Sequence, residues 1–429
     1  MSAQNPAPLA VSHEQAPRRS NPGPARGTVK PAAPKSAIDK FFDRLIAFFT
    51  SLRLTVLCLV LGAVLVFSGT IAQVDMGLFK AQNEFFRSFF IFWGPSGASW
   101  KIPVFPGGYL IGGTLLINLT GAFLVRFSFT WKKAGILIIH SGMILLLLGQ
   151  LLTDMLSRES AMQLFEGESK NYSEDFRETE LVLIDKSAPD SDTVYSIPQS
   201  VLAKGQIRDP RLPVNVQVKH YWVNAALVRP GSEAPQAIAS GATAGDLKDL
   251  LVIPAPPVSD TDQRNSPGAV VELFEGSRSL GSFLVSSLVS MPQTINVGDK
   301  AYELDLRFLR YYHPFQVTLL KATHEKYKGT DIPKNFASRV RVQNPARNEA
   351  RETVIYMNNP LRYSGLTFYQ YQMSAGEMTQ RAGMPPSSTF QVVRNPGWLT
   401  PYLSCVMIAT GLLVQFGSHL LGFLKRRRA

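Results

Sequence analysis

Four apolar runs, each about 20 residues long, divide the 429-residue chain, and that length is what a helix needs to cross the roughly 30 Å hydrocarbon core of a bilayer. They fall at about 54–74, 108–125, 134–153 and 399–424. Almost everything between the third and fourth runs is polar, so an average over the chain conceals the segregation. The pattern predicts a membrane α-helical part of four transmembrane helices and one large domain outside the bilayer.

The formal charge of +12 raises the question of nucleic acid, and its location answers it. Residues 1–53 hold eight Lys/Arg against three acids, the stretch 126–133 adds three basic residues, and Lys425–Arg428 adds four. These three segments account for the whole excess. A nucleic-acid footprint would lie on a folded face; this excess flanks membrane spans, so no nucleic-acid partner is expected. Basic loops stay in the cytoplasm, which puts both termini and the 126–133 loop inside. Residues 75–107 and 154–398 then lie on the opposite side. Trp398 and Tyr402 at the outer end of span four, and Trp131 at the inner face, fit an aromatic belt.

Span one follows a 53-residue tail and exceeds the apolar region of a signal peptide, so it is read as an uncleaved helix. Residues 1–36 are rich in Pro, Ala and Ser and are expected to be disordered. Residues 37–53 read as an interfacial amphipathic helix, with Ile38, Phe41, Phe42, Leu45, Ile46 and Phe49 on one face. The aromatic-rich outer loop 84–105 is expected to rest on the outer leaflet.

Residues 154–398 show short alternating runs bounded by Gly, Pro and Asn, which predict an all-β extracytoplasmic domain, sandwich-like with two lobes. Ala269–Ser286 reads as two strands about a Gly-Ser turn, and Ser338–Met357 as a hairpin whose turn opens at Asn344-Pro345. The Pro-rich stretch 229–268 either separates the lobes or forms a surface insertion. Cys58 and Cys405 both lie inside apolar runs, at depths too different for a disulfide, and the outer domain has no cysteine. Thiol–disulfide exchange by this chain is therefore not expected. No Walker loop, GxSxG, HExxH, CxxC or CxxCH occurs, and no catalytic residue stands out.

Two of the six histidines, His140 and His419, lie within spans, where an ionisable side chain is by default a functional hypothesis. Counted from Lys133 and Lys425, both sit about 9–10 Å inside the cytoplasmic end, at matching depth. Gly135, Gly142 and Gly149 recur every seven residues in span three, as do Ser404, Gly411 and Ser418 in span four, which permits close packing. At about 100° per residue, His140 points roughly 140–160° away from its glycine face, toward a different neighbour. A neutral imidazole is a natural axial ligand for haem iron; position alone leaves open the commoner role of a hydrogen-bonded packing residue. His419, nearer the interface, is the weaker candidate. His220, His313 and His324 read as solvated residues of the β domain, and His13 as part of the tail.

SLRLTVLCLVLGAVLVFSGT (51–70), KKAGILIIHSGMILLLLGQLL (132–152), DIPKNFASRVRVQNP (331–345), VIYMNNPLRYSGLTFYQ (354–370) and NPGWLTPYLSCVMIATGLLVQFGSHL (395–420) together resemble the ResB family of cytochrome c biogenesis proteins. The resemblance covers about residues 45–424. It implies a bacterial inner-membrane protein of system II cytochrome c maturation. There it would work with a WWD-type haem-handling membrane protein to carry haem across the membrane. Haem would then be presented with apocytochrome c for thioether attachment at CxxCH, as a subunit of a haem–apocytochrome c lyase and not a complete enzyme alone. His140 matches the histidine of the family's third span and would be an axial haem ligand. Arg362, Tyr369 and Tyr371 become contacts to partner or substrate, although NNPLRY also reads as a turn followed by a Tyr-rich strand. A thioredoxin-like thiol reductant is a further implied partner. The five tryptophans are scattered, so a WWD motif would have to come from the partner. The competing reading is a membrane scaffold that binds no haem, whose β domain docks apocytochrome or the thiol reductant.

Overall fold

The computed structural model describes residues 36–95, 100–126, 130–189, 191–260, 263–327, 333–374, 383 and 385–428. The tail expected to be disordered lies outside these residues except for Ser36. Helix α1 (Ala37–Phe49) opens on a reciprocal cap: the Ser36 amide donates to Asp39 Oδ2 at 3.0 Å, and the Asp39 amide to Ser36 Oγ at 3.1 Å. Ile38, Phe41, Phe42, Leu45 and Ile46 are all exposed along it.

Four further helices are long and apolar enough to cross a membrane: α2 (Leu52–Met76), α3 (Gly108–Arg126), α4 (Ala134–Leu156) and α5 (Thr400–Arg428). The chain is a multi-pass membrane protein. Large apolar side chains such as Phe67, Leu124, Leu413 and Phe416 point outward with most of their surface open, which is stable against lipid and costly against water. The outer loop supplies both packing and exposed aromatics. Phe85 and Phe86 pack with Leu65 and Ile111, while Phe89, Phe92 and Trp93 stay exposed. Phe90–Trp93 pairs antiparallel with Ile102–Pro106. Arg87 Nε bonds Asp154 Oδ1 at 2.9 Å, and the Tyr109 hydroxyl donates to Asp154 Oδ2, tying this loop to the end of α4.

Asn118 of α3 is almost fully buried, and its side chain satisfies the backbone where α1 gives way to α2. Its Nδ2 donates to Phe49 O at 2.7 Å and Ser51 O at 3.0 Å, and its Oδ1 accepts from Thr55 Oγ1 at 2.6 Å. Hydrogen bonds between membrane helices contribute about 0.6 kcal/mol each on average. Asn118→Ala should therefore lower stability by about 2 kcal/mol, read as the unfolding midpoint of the chain in detergent. An unchanged midpoint would mean that this node does not hold α3 to α2.

The β domain is built on two long antiparallel strands, Ser169–Asp185 and Lys300–Lys326, which run through two cores. In the first core, Leu181, Leu183, Leu304 and Leu306 pack with Val271, Leu273 and Val285. The last three come from a four-stranded sheet that includes Asn215–Trp222, Gly268–Glu275 and Arg278–Ser286. In the second core, Phe315, Val317 and Leu319 pack with Val340, Val342, Phe368, Phe390 and Val392. The ten-stranded sheet around that core runs from Glu349–Tyr356 at one edge to Leu361–Tyr363 at the other, and a bridge between Tyr356 and Asn359 nearly closes it.

Local sequence explains the strands. In Pro333–Asn344, Ser338, Val340, Val342 and Asn344 are buried while Arg339, Arg341 and Gln343 are exposed, the period of two that a half-buried strand demands. Leu361–Tyr363 turns back into Leu366–Ser374 through Ser364 (φ 50°) and Gly365 (φ 78°), both left-handed as a two-residue hairpin turn requires. The four apolar helices and the β-rich region are the fold class that the sequence predicts.

At the waist between the cores, Arg307 faces Glu180 across the two long strands, with Nε 3.0 Å from Oε1 and both side chains almost fully buried. Ser196 Oγ donates to the other Glu180 oxygen. Part of the Pro-rich stretch also docks here. Arg177 stacks on Phe79, its guanidinium donates to Val258 O and Asp260 O, and the Phe79 amide donates to Ser259 O at 3.2 Å. The turn after α2 is thereby fixed to the β domain.

Candidate functional site

The orientation of His140 follows from how α4 packs on α5. Gly135 lies against Gly411 and Gln415, Gly142 against Ser404 and Ile408, and Gly149 against Thr400; a methyl group at Gly135 would come within 2.7 Å of backbone atoms of α5. The glycine face is thus consumed by α5, and His140 looks to α3 instead. Its ring lies parallel to that of Phe123, with centroids 6.5 Å apart and planes 16° apart.

His140 Nδ1 lies 2.9 Å from Ile136 O, one turn back on its own helix. A carbonyl can only accept, so Nδ1 carries a proton there, and Nε2 is the nitrogen able to offer a lone pair. Anchoring one ring nitrogen on a backbone carbonyl is how proteins fix the tautomer of a metal-binding imidazole. The half-buried ring is therefore directed, with Nε2 as the nitrogen left to bind. Among the described residues, no three His, Cys, Asp or Glu side chains gather to hold a bare metal ion.

His419 differs in both respects. It is exposed, and its Nε2 lies 2.7 Å from Gln415 Nε2, so the amide donates to the imidazole lone pair. The expectation of matching depth is corrected by the register. The glycine contacts put His140 level with about Ile408, whereas His419 lies about three turns further on, roughly 16 Å along the axis. Counting inward from flanking charges assumes that both helices end in one plane, but α5 continues to Arg428, well past the start of α4 at Ala134. The structure does not bring the two histidines together.

The other predicted residues are dispersed as well. Arg362 lays its guanidinium 4.8 Å above the Trp398 ring, joining an outer strand to the start of α5, where Trp398 also meets Tyr402 edge-on. Tyr371 falls in a bulge and meets Phe176 edge-on, with ring centroids 5.8 Å apart. Tyr369 is exposed opposite Gln391. Arg362 and Tyr371 thus have ring partners of their own, and Tyr369 has a register partner on the adjacent strand.

Two residues escaped the sequence reading. Phe123 carries no signal beyond its place on an apolar helix. His313 was expected to be solvated; it is half-buried, stacked on Phe315 (5.3 Å, 12°), and burial pushes its pKa down to about 4. Its alternation with the core residue Phe315, two positions on, is the signal that could have found it. His220, exposed and stacked on Trp222, and His324, stacked on Phe336, complete the set.

Comparison with known proteins gives two findings. Residues 279–385 match the ResB-like family model. That stretch runs from the strand Arg278–Ser286 through the block containing Arg362, Tyr369 and Tyr371, and leaves His140 and His419 outside it. A stretch of 100 residues, 23% of this chain, is 28% identical to Protein NrfI of Wolinella succinogenes and covers 10% of that protein.

Proposed function

We propose, from the match of residues 279–385 to the ResB-like family model, that this chain is the haem-handling subunit of a system II cytochrome c synthase in a bacterial inner membrane. The supporting observation is His140: an intramembrane imidazole whose Nδ1–H is held by Ile136 O and whose Nε2 is left to bind. Haem is the cargo. Its iron brings four porphyrin nitrogens and needs only axial ligands from protein, so a lone directed imidazole suits it. Phe123 and the packing of α4 on α5 keep the ring from turning away.

The basic flanks support a topology with both termini and the 126–133 loop in the cytoplasm and the β domain on the far side. A WWD-type membrane protein would supply the remaining haem ligands, and the β domain would receive apocytochrome c and a thioredoxin-like reductant that keeps the CxxCH thiols free. Arg362, Tyr369 and Tyr371 flank that receiving surface in this reading, and His419 is the weaker haem-ligand candidate.

The test is the visible spectrum of the chain co-purified with its partner. His140→Ala should weaken or abolish the axial-ligation bands, and added imidazole should restore them. An unchanged spectrum in His140→Ala would remove the haem role and leave the β domain as a docking scaffold.

A further inference from the structure

Where the β domain joins the bundle, two arginines meet in an unusual way. Arg158, just after α4, and Arg394, shortly before α5, are register partners on adjacent antiparallel strands. Like charges directly opposite one another are destabilising. Among the described residues, neither guanidinium has a carboxylate within ion-pair distance. Asp175, which shares Tyr311 with Arg158, is already satisfied: it accepts from the Tyr311 hydroxyl at 2.8 Å and from the amides of Arg177 and Glu178.

Both arginines line one cavity of about 280 Å³. Its wall includes Tyr311, over whose ring the Arg158 guanidinium sits at 4.5 Å, the exposed Tyr312, and His313. Behind them Ser160 Oγ donates to Ser173 Oγ at 2.8 Å, and Ser173 Oγ lies 3.1 Å from His313 Nε2. The imidazole is thus engaged inside the wall and adds no charge there at neutral pH. The net result is two unneutralised forks, one strand spacing apart, at the mouth of an aromatic pocket.

We propose that this cavity binds the carboxylate-bearing edge of a planar amphiphilic dicarboxylate, a porphyrin, with Arg158 and Arg394 each taking one carboxylate. Guanidinium–carboxylate pairs are charge-assisted and suited to two-point recognition, and the exposed Tyr312 ring suits a flat apolar body. A phosphodiester headgroup would bring one charge to two arginines and no ring to the wall. The site rests on the haem reading for its biological sense, but it is separate from His140.

The experiment uses the full chain in zwitterionic nanodiscs and metal-free protoporphyrin IX, followed by fluorescence. Without iron this probe cannot report axial ligation, so its binding tests the arginine pair whether or not the haem reading of His140 stands. Its dimethyl ester, which lacks the charged carboxylates, should bind about tenfold or more weakly. Arg158→Gln/Arg394→Gln should bring the diacid down to the ester's affinity, while Arg158→Lys/Arg394→Lys should keep most of it. Equal binding of diacid and ester, or equal binding by wild type and the glutamine variant, would overturn the proposal. So would loss of binding when phosphatidylglycerol is added to the discs, which would assign the site to a lipid headgroup.

Discussion

Arg307→Ala is expected to destabilise the β domain by about 3–5 kcal/mol, the usual consequence of stranding one member of a buried ion pair. Glu180 would remain almost fully buried, with one oxygen facing Ser196 and the other left the long bond from the Arg310 amide, 3.4 Å, in place of the guanidinium. Water cannot reach a group in that position cheaply. The pair also lies where the two long strands pass from one core to the other, so its loss weakens the joint between them. For a domain of this size the shift in unfolding temperature should be on the order of 10 °C. Arg307→Met/Glu180→Leu removes both charges together and should recover most of the loss, because a buried pair contributes little over well-packed apolar side chains. The readout is thermal unfolding of the full chain in detergent. If the single and double variants melt together, the cost comes from lost packing and not from an uncompensated carboxylate.

What was legible in the sequence, and what was not, follows the range of the interactions involved. Helix length and the heptad of Gly135, Gly142 and Gly149 are local, and they foretell both the tight α4–α5 face and the turning of His140 toward another helix. Alternation in Ser338–Asn344 is also local, and it yields a strand with its buried side correctly chosen. Helix register is not local: the 16 Å offset between His140 and His419 depends on where α5 meets α4, which flanking charges do not encode. The two-core plan depends on Ser169–Asp185 finding Lys300–Lys326, a pairing that periodicity within either strand cannot reveal. The same holds for Arg158 opposite Arg394, and for Arg362 over Trp398; in each case the chemistry is visible in one residue and the partner only in three dimensions.

Gly135→Ala should cost about 1–3 kcal/mol, the range for forcing one extra methyl group into a filled interface. The added carbon would meet backbone atoms, the Gln415 nitrogen and the Gly411 oxygen, both at 2.7 Å, so no rotamer change can relieve it. The reciprocal substitution Gly411→Ala meets the Gly135 oxygen and the Ile139 nitrogen at 2.8 Å and should behave alike. Gly113 and Gly422 provide the contrast, since no atom of the described residues lies within 4 Å of a methyl group at either. Alanine there should be neutral or slightly stabilising, because it favours the helix over glycine by about 1 kcal/mol. Denaturant titration of the four variants in micelles measures this difference in sign. Equal shifts at all four glycines would mean that the α4–α5 contact is not a close-packed one. The consequence extends to the histidine. With the glycine face held against α5, α4 has one rotational setting, and His140 faces Phe123 only in that setting. On the proposed haem reading, Gly135→Ala should therefore disturb ligation through His140 without touching the imidazole, and Gly113→Ala should not. If the His140 spectrum survives Gly135→Ala intact while stability falls, the direction of the imidazole is set by its own bond to Ile136 and not by the helix beneath it.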